Sequence, residues 1–219
     1  MLEADGIQYS IKGRSILSNV YIKAEKGLVT GVIGSNGCGK STLMNIVFGS
    51  LEAEYASVRI EGEKLKPGLH AKRIQYLPQF TILPENLTVG TIFRLYGHRL
   101  EDFVSCFPNV KVKSNARFGH LSKGTQRLVE TYTFLKNDCD ITLLDEPFSF
   151  NAPVYIEKIK QLIEEQKAAK TIVVTDHLYD HIQSVCDTIY LIYNGRTIAV
   201  DGPESLVRYG YLPESFPSA

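Results

Sequence analysis

The stretch Gly34-Ser35-Asn36-Gly37-Cys38-Gly39-Lys40-Ser41-Thr42 fits the pattern G-x-x-x-x-G-K-[ST]. Residues 28–33 just before it form a short apolar, β-branched run that reads as a buried strand. Just after it, Leu43, Ile46 and Val47 fall at i, i+3, i+4, as on one face of a helix. A strand that turns through glycines into a helix aims successive backbone N–H groups at one point, and such a cradle holds phosphate. Glycines at 34, 37 and 39 permit backbone approaches that a side chain would block. The pattern therefore predicts that residues 34–42 bind a nucleotide, with Lys40 on its β- and γ-phosphates and the Ser41 hydroxyl on Mg²⁺.

A chain of 219 residues is long enough for a sizeable core and suits one α/β domain, alone or with a small lobe. Lysine plus arginine balance aspartate plus glutamate at 24 each, so no nucleic-acid partner is expected. Cys38, Cys106, Cys139 and Cys186 show neither C-x-x-C nor zinc spacing and read as reduced thiols. Residues 1–5 are acidic with no apolar stretch behind them, unlike a signal peptide, and no 18-residue apolar run suggests a membrane span. Residues 213–219 contain two prolines and are expected to be a loose tail.

Strands are expected at 6–11, 15–23 and 28–33, separated by turn signals at Lys12-Gly13 and Lys26-Gly27. Tyr9 in the first reads equally as a packed strand aromatic or as a ring that stacks on a nucleotide base. Residues 57–62 alternate as a strand, and 73–79 form another that Pro78 stops, leaving Gln79 on a loop. From 84 to 137 strand signals fade. Residues 91–96 and 127–136 suggest helices, the second with Leu128, Tyr132 and Leu135 on one face, and 104–115 reads as loop or short helix.

Strand and helix then alternate again. Residues 140–146 form an apolar strand ending in two carboxylates, and 153–168 a helix with Ile156, Ile159 and Ile163 on one face. Residues 171–175 are a buried strand ending in Asp176-His177; Leu178, Ile182 and Val185 mark a helix; strands at 188–193 and 197–200 flank Asn194-Gly195. This alternation implies a mostly parallel sheet with helices on both faces, and ligands at the carboxyl ends of its strands. Those ends offer groups that nucleotide hydrolysis could use, Asp145 to organise Mg²⁺, Glu146 to activate water and His177 to contact a γ-phosphate, although a solvated Asp-Glu pair and a structural histidine account for the same residues.

Taken in order, these motifs resemble the ATP-binding-cassette (ABC) family, specifically the ATPase subunit of an ABC transporter, over essentially the whole chain. Tyr76-Leu77-Pro78-Gln79 is similar to the family's Q-loop, and Leu121-Ser122-Lys123-Gly124-Thr125-Gln126-Arg127 to its Leu-Ser-Gly-Gly-Gln signature. Leu143-Leu144-Asp145-Glu146-Pro147 looks like the Walker B strand with its catalytic glutamate, Thr175-Asp176-His177 like the switch histidine, and Tyr9 sits where the family places its base-stacking aromatic.

The resemblance implies a P-loop NTPase core with a mostly parallel sheet, an N-terminal antiparallel β subdomain and an inserted helical subdomain. The core would span about 1–84 and 137–212, and the helical part about 85–136. It implies ATP and Mg²⁺ as cofactors, with residues 34–42 and Tyr9 on the nucleotide, Ser41, Gln79 and Asp145 about the metal, and Glu146, His177 and Gln79 in catalysis. Two cassettes would pack head to tail, Ser122 and Gly124 of one touching the γ-phosphate held by the other. Separate transmembrane permease subunits would hold the pair at the inner face of the cell membrane.

Two departures stand out. Lys123 and Thr125 replace a glycine and the glutamine of the signature, and Ala152 stands where the family commonly has the aspartate of its D-loop. The first leaves Ser122 and Gly124 for the trans contact; the second bears on communication between the two sites and on hydrolysis rate. A soluble ABC ATPase in cofactor assembly and a weakly hydrolysing nucleotide switch stay open beside the transport role.

Overall fold

The computed structural model describes residues 1–66, 68, 70 and 72–216. In chain order the first half runs β1 (Leu2–Ile11), β2 (Arg14–Ala24), β3 (Val29–Ile33), α1 (Lys40–Phe48), β4 (Tyr55–Ile60), β5 (Glu63–Lys64), β6 (Ile74–Leu77), α2 (Val89–Leu95) and α3 (Leu100–Cys106). The second half runs α4 (Lys123–Lys136), β7 (Ile141–Asp145), α5 (Pro153–Lys167), β8 (Thr171–Thr175), α6 (Tyr179–Gln183), β9 (Thr188–Tyr193), β10 (Arg196–Ala199) and α7 (Pro203–Arg208).

Two sheets result. The antiparallel one has the order β2-β1-β4-β5. The other has the order β10-β9-β3-β8-β7-β6, parallel throughout except for β10, which joins β9 through a hairpin turn at Asn194-Gly195. Both turn residues have positive φ, 48° and 74°, the geometry that matches the twist of a tight hairpin.

Side-chain alternation in the parallel strands divides the core in two. Val173 of β8 joins Val32, Ile141 and Leu143 against α1 and the antiparallel sheet, whereas its neighbours Ile172 and Val174 face the helical side. On that side α4 packs on β6, β7 and α5, and α2, α3 and α4 belong to the same apolar cluster. Leu128, Tyr132 and Leu135 are buried there, as their spacing predicts.

Several boundaries depart from the sequence reading. β1 begins at Leu2, because Leu2 and Ala4 are buried while Glu3 and Asp5 stay partly exposed, an alternation too short to stand out among acidic residues. α3 occupies Leu100–Cys106, ahead of the expected loop or short helix at 104–115, and α7 was not expected at all. α6 is a five-residue helix in which Leu178 is the N-cap, 46% exposed, rather than part of its buried face. Of the expected loose tail, residues 217–219 lie outside the described residues. Phe216 sets its ring edge-on to Tyr179 at 5.8 Å.

Candidate active site

Register brings the motifs together. Parallel pairing sets Val32 of β3 beside Thr175 of β8, Asp145 of β7 beside Thr175, and Leu77 of β6 beside Leu144. The carboxyl ends of β3, β8, β7 and β6 therefore lie in a row, delivering the glycine loop, His177, Glu146 and Gln79 to one edge of the sheet. A cleft of about 420 Å³ opens there, lined by Ile11, Ile16, Asn36, Gly37, Gly39, Lys40, Ser41, Thr42, Gln79, Glu146 and His177.

Within the loop, Gly39 at φ +112° caps α1, a conformation that a side chain would strain. Lys40 is buried, and its ammonium donates to the carbonyls of Gly34 at 2.7 Å and Ser35 at 3.3 Å, so its charge lies across the loop. Ser35 and Cys38 line the neighbouring hollow with Asn36 and Gly37. Burial pushes the Cys38 thiol above its ordinary pKa, against the opposing pull of Lys40.

Glu146 is held from several sides. Its backbone sits at φ +53°, a left-handed conformation that costs a non-glycine residue about 1–2 kcal/mol. Its N–H donates to the Thr175 carbonyl at 2.9 Å. The carboxylate Oε2 accepts from Gln79 Nε2 at 2.8 Å and Ser149 Oγ at 3.1 Å. His177 Nδ1 lies 3.5 Å from Glu146 Oε1 and 3.4 Å from Asp176 Oδ1. Asp145 is fully buried and accepts from the Thr175 hydroxyl and, at 3.1 Å, from the Tyr76 hydroxyl. Burial and the adjoining Asp145 carboxylate push the Tyr76 phenol far up, so it stays a donor.

The expected metal site has a donor set of hydroxyl, carboxamide and carboxylate oxygens from Ser41, Gln79 and Asp145, the chemistry Mg²⁺ prefers. Among the described residues no cluster of three His, Cys, Asp or Glu side chains competes for a softer metal. Both Asp145 oxygens already accept hydrogen bonds, so Asp145 would hold the ion through its retained waters. Ser41 and Gln79 line the cleft and fit the ion; Asp145, buried and absent from that lining, would act only through the ion's waters.

Not every expected residue lies at the cleft. Tyr9 is half-buried against the cluster under the antiparallel sheet and does not line the cleft; the pairing of β1 with β2 shifts register just after it, between Tyr9 and Ser10. Ile11 and Ile16 supply the apolar wall instead. Ser122 and Gly124 are absent from the cleft lining: Ser122 caps α4 by accepting from Thr125 N–H at 3.2 Å, and Gly124 lies against the Phe150 backbone. A Cβ on Gly124 would come within 2.5 Å of the Phe150 carbonyl oxygen.

Other residues at the site escaped the motif reading. Arg127 is 3% exposed and donates to the carbonyls of Pro78 at 2.7 Å, Asp145, and Glu146 at 3.2 Å. The Tyr211 hydroxyl donates to the His177 carbonyl at 3.0 Å, tying the segment after α7 to the histidine. An arginine inside the buried stretch 126–135 was the available signal for the first; nothing in the local sequence marks the second.

Comparison with known proteins gives the family. The family model described as ABC transporter matches residues 17–149. The ribose import ATP-binding protein of Halalkalibacterium halodurans is 31% identical over 90% of this chain and 44% of its own length. A high-affinity branched-chain amino acid transport ATP-binding protein of Pseudomonas aeruginosa is 29% identical over 97% of this chain and 99% of its own. The chain thus spans under half of some relatives and nearly all of others. In fold, an ATP-binding subunit of an ABC transporter superposes with a TM-score of 0.82 at 23% identity, over 98% of this chain and 95% of that one. An ATP-binding cassette of another, 26% identical, gives 0.75 over 91% and 90%. With the glycine loop, the paired carboxylates and the histidine at one sheet edge, the chain belongs to the ABC transporter family, as an ATP-binding cassette of the P-loop NTPase superfamily.

Proposed function

We propose that this chain hydrolyses ATP and drives transport through separate membrane-spanning subunits. The observation that carries the hydrolytic reading is the contact of Gln79 and His177 with Glu146 at the mouth of the Lys40–Ser41 cleft. Phosphates on the glycine loop place the γ-phosphoryl group toward Gln79, Glu146 and His177, and the base and sugar toward Ile11 and Ile16. Glu146 accepts the proton of the attacking water. Gln79, already bonded to that carboxylate, aligns the water with it. His177, between Glu146 and Asp176, meets the charge developing on the γ-phosphate. Mg²⁺, when bound, neutralises the phosphate oxygens.

A second copy completes the site, Ser122 and Gly124 at the start of α4 reaching the γ-phosphate held by its partner. The membrane partner is supported by an apolar groove of about 360 Å³ beside Gln79, lined by Phe48, Tyr76, Pro78, Phe80, Ile82 and Phe134, with Phe80 69% exposed. Among the described residues no helix is long and apolar enough to cross a membrane, and the span is assigned to a partner. The test is Mg²⁺-dependent phosphate release by the purified chain together with fractionation of native extracts. Turnover, with the chain recovered alongside an integral membrane protein, is expected; turnover with soluble partners only contradicts the transport role.

A further inference from the structure

One charged pair at the site has no part in the steps above. Arg127 and Glu130 lie one turn apart on α4, 3% and 0% exposed, with Nη1 and Oε2 3.7 Å apart. That separation is too long for a hydrogen bond, and the hydrogen bonds of both side chains go elsewhere, leaving Arg127 Nε and Glu130 Oε2 buried without a partner. The guanidinium donates to the carbonyls of Pro78, Asp145 and Glu146, as described above. The Glu130 carboxylate accepts through Oε1 from the backbone N–H groups of Ile82, at 2.9 Å, and Leu83, at 3.2 Å. Pro78 and Leu83 bracket Gln79 and the exposed residues Phe80 and Ile82.

One helix face therefore grips segment 78–83 at both ends and, through the same guanidinium, the backbone of the water-activating residue. Burying two charges is costly, and a buried pair is weak evidence for stability alone. Here both are spent on main-chain groups of the two loops that meet over the cleft, while neither side chain lines the cleft itself.

We propose that the Arg127–Glu130 pair is a positioning device that sets the distance between segment 78–83 and the Glu146 backbone, so that a partner pressing on Phe80 or Ile82 alters the carboxylate through α4. The inference rests on Glu146 being the base, and names how that base is regulated. Arg127 and Glu130 are positioning residues, since they act through Glu146 and Gln79. Arg127→Lys loses the planar fork that serves three carbonyls, so kcat falls about tenfold or more while the KM for ATP stays within about twofold. Glu130→Ala has the same effect. Glu130→Gln restores kcat, because a carboxamide oxygen accepts the same two N–H groups.

Hydrogen exchange supplies a readout independent of turnover. Glu130→Ala is expected to speed exchange at Ile82 and Leu83 about tenfold with strand amides unchanged, and Arg127→Lys to speed it at those same two amides from the far end of the pair. Parental kcat in both variants, a loss of ATP affinity matching the loss of kcat, or unchanged exchange at 82–83 in Arg127→Lys overturns the proposal. Should Glu130→Ala not fold, Arg127→Lys against Glu130→Gln decides: slow turnover in the first and parental turnover in the second is expected, and equal turnover overturns it. If the unaltered chain fails to release phosphate, the ATPase reading falls, and exchange still decides whether the pair links the two loops.

Discussion

Gln79 Nε2 donates to Glu146 Oε2 at 2.8 Å, joining the loop after β6 to the end of β7. One hydrogen bond thus spans from the segment nearest the apolar groove to the carboxylate assigned to activate water. Replacing Gln79 by Ala removes that bond while leaving the glycine loop untouched. A hydrogen bond to a charged group is worth about 1.5–3 kcal/mol, so kcat should fall about tenfold or more with little change in ATP affinity. Steady-state phosphate release at saturating ATP checks this, and an affinity loss instead would place Gln79 on the bound nucleotide.

Lys40 should behave in the opposite way. Its ammonium already lies across the Gly34 and Ser35 carbonyls, where the phosphates are expected. Lys40→Ala is expected to weaken ATP binding by about 10–100-fold. Titration with a fluorescent ATP analogue measures it.

Gly39 offers a stability test separate from catalysis. At φ +112°, and with a new Cβ 2.7 Å from Leu17 Cδ2, Gly39→Ala forces a strained conformation in a tight place. The expected cost is about 2 kcal/mol. For a chain of this size that lowers Tm by about 4–8 °C. A thermal melt without nucleotide reads it directly.

The α4 core makes a prediction in alkali. Burial pushes the Tyr132 phenol from 10.0 up to about 12. Above pH 10 the unfolded chain releases this proton while the folded chain keeps it, so the stabilisation is complete below pH 10 and disappears as pH rises toward 12. Tyr132→Phe should flatten the fall in urea midpoint across that window.

Much of this site was legible because its parts lie at strand ends. Short apolar runs closing on Asp145-Glu146 and Asp176-His177 announce parallel strands and their reactive edge together, and the glycine loop fixes which strand feeds the cleft. What was not legible depends on partners distant in sequence. Arg127 reads as one more helical charge until β6 and β7 bring the carbonyls of Pro78 and Glu146 to it. Tyr9 reads equally as a packed strand aromatic or a stacking ring, and the structure sets it half-buried against the core, with Ile11 rather than Tyr9 lining the cleft. The onset of β1 at Leu2 rests likewise on pairing with Ala24 and Ile60, since the alternation over residues 2–5 is too short to mark it alone.

The most direct test of the account is ATP turnover by Glu146→Gln, read beside the oligomeric state in MgATP. Loss of the base should lower kcat by about 10²–10⁴-fold, with ATP retained and the chain eluting as a pair of copies. Turnover equal to that of the unaltered chain would show that water is activated by some other group, and the central assignment would be wrong.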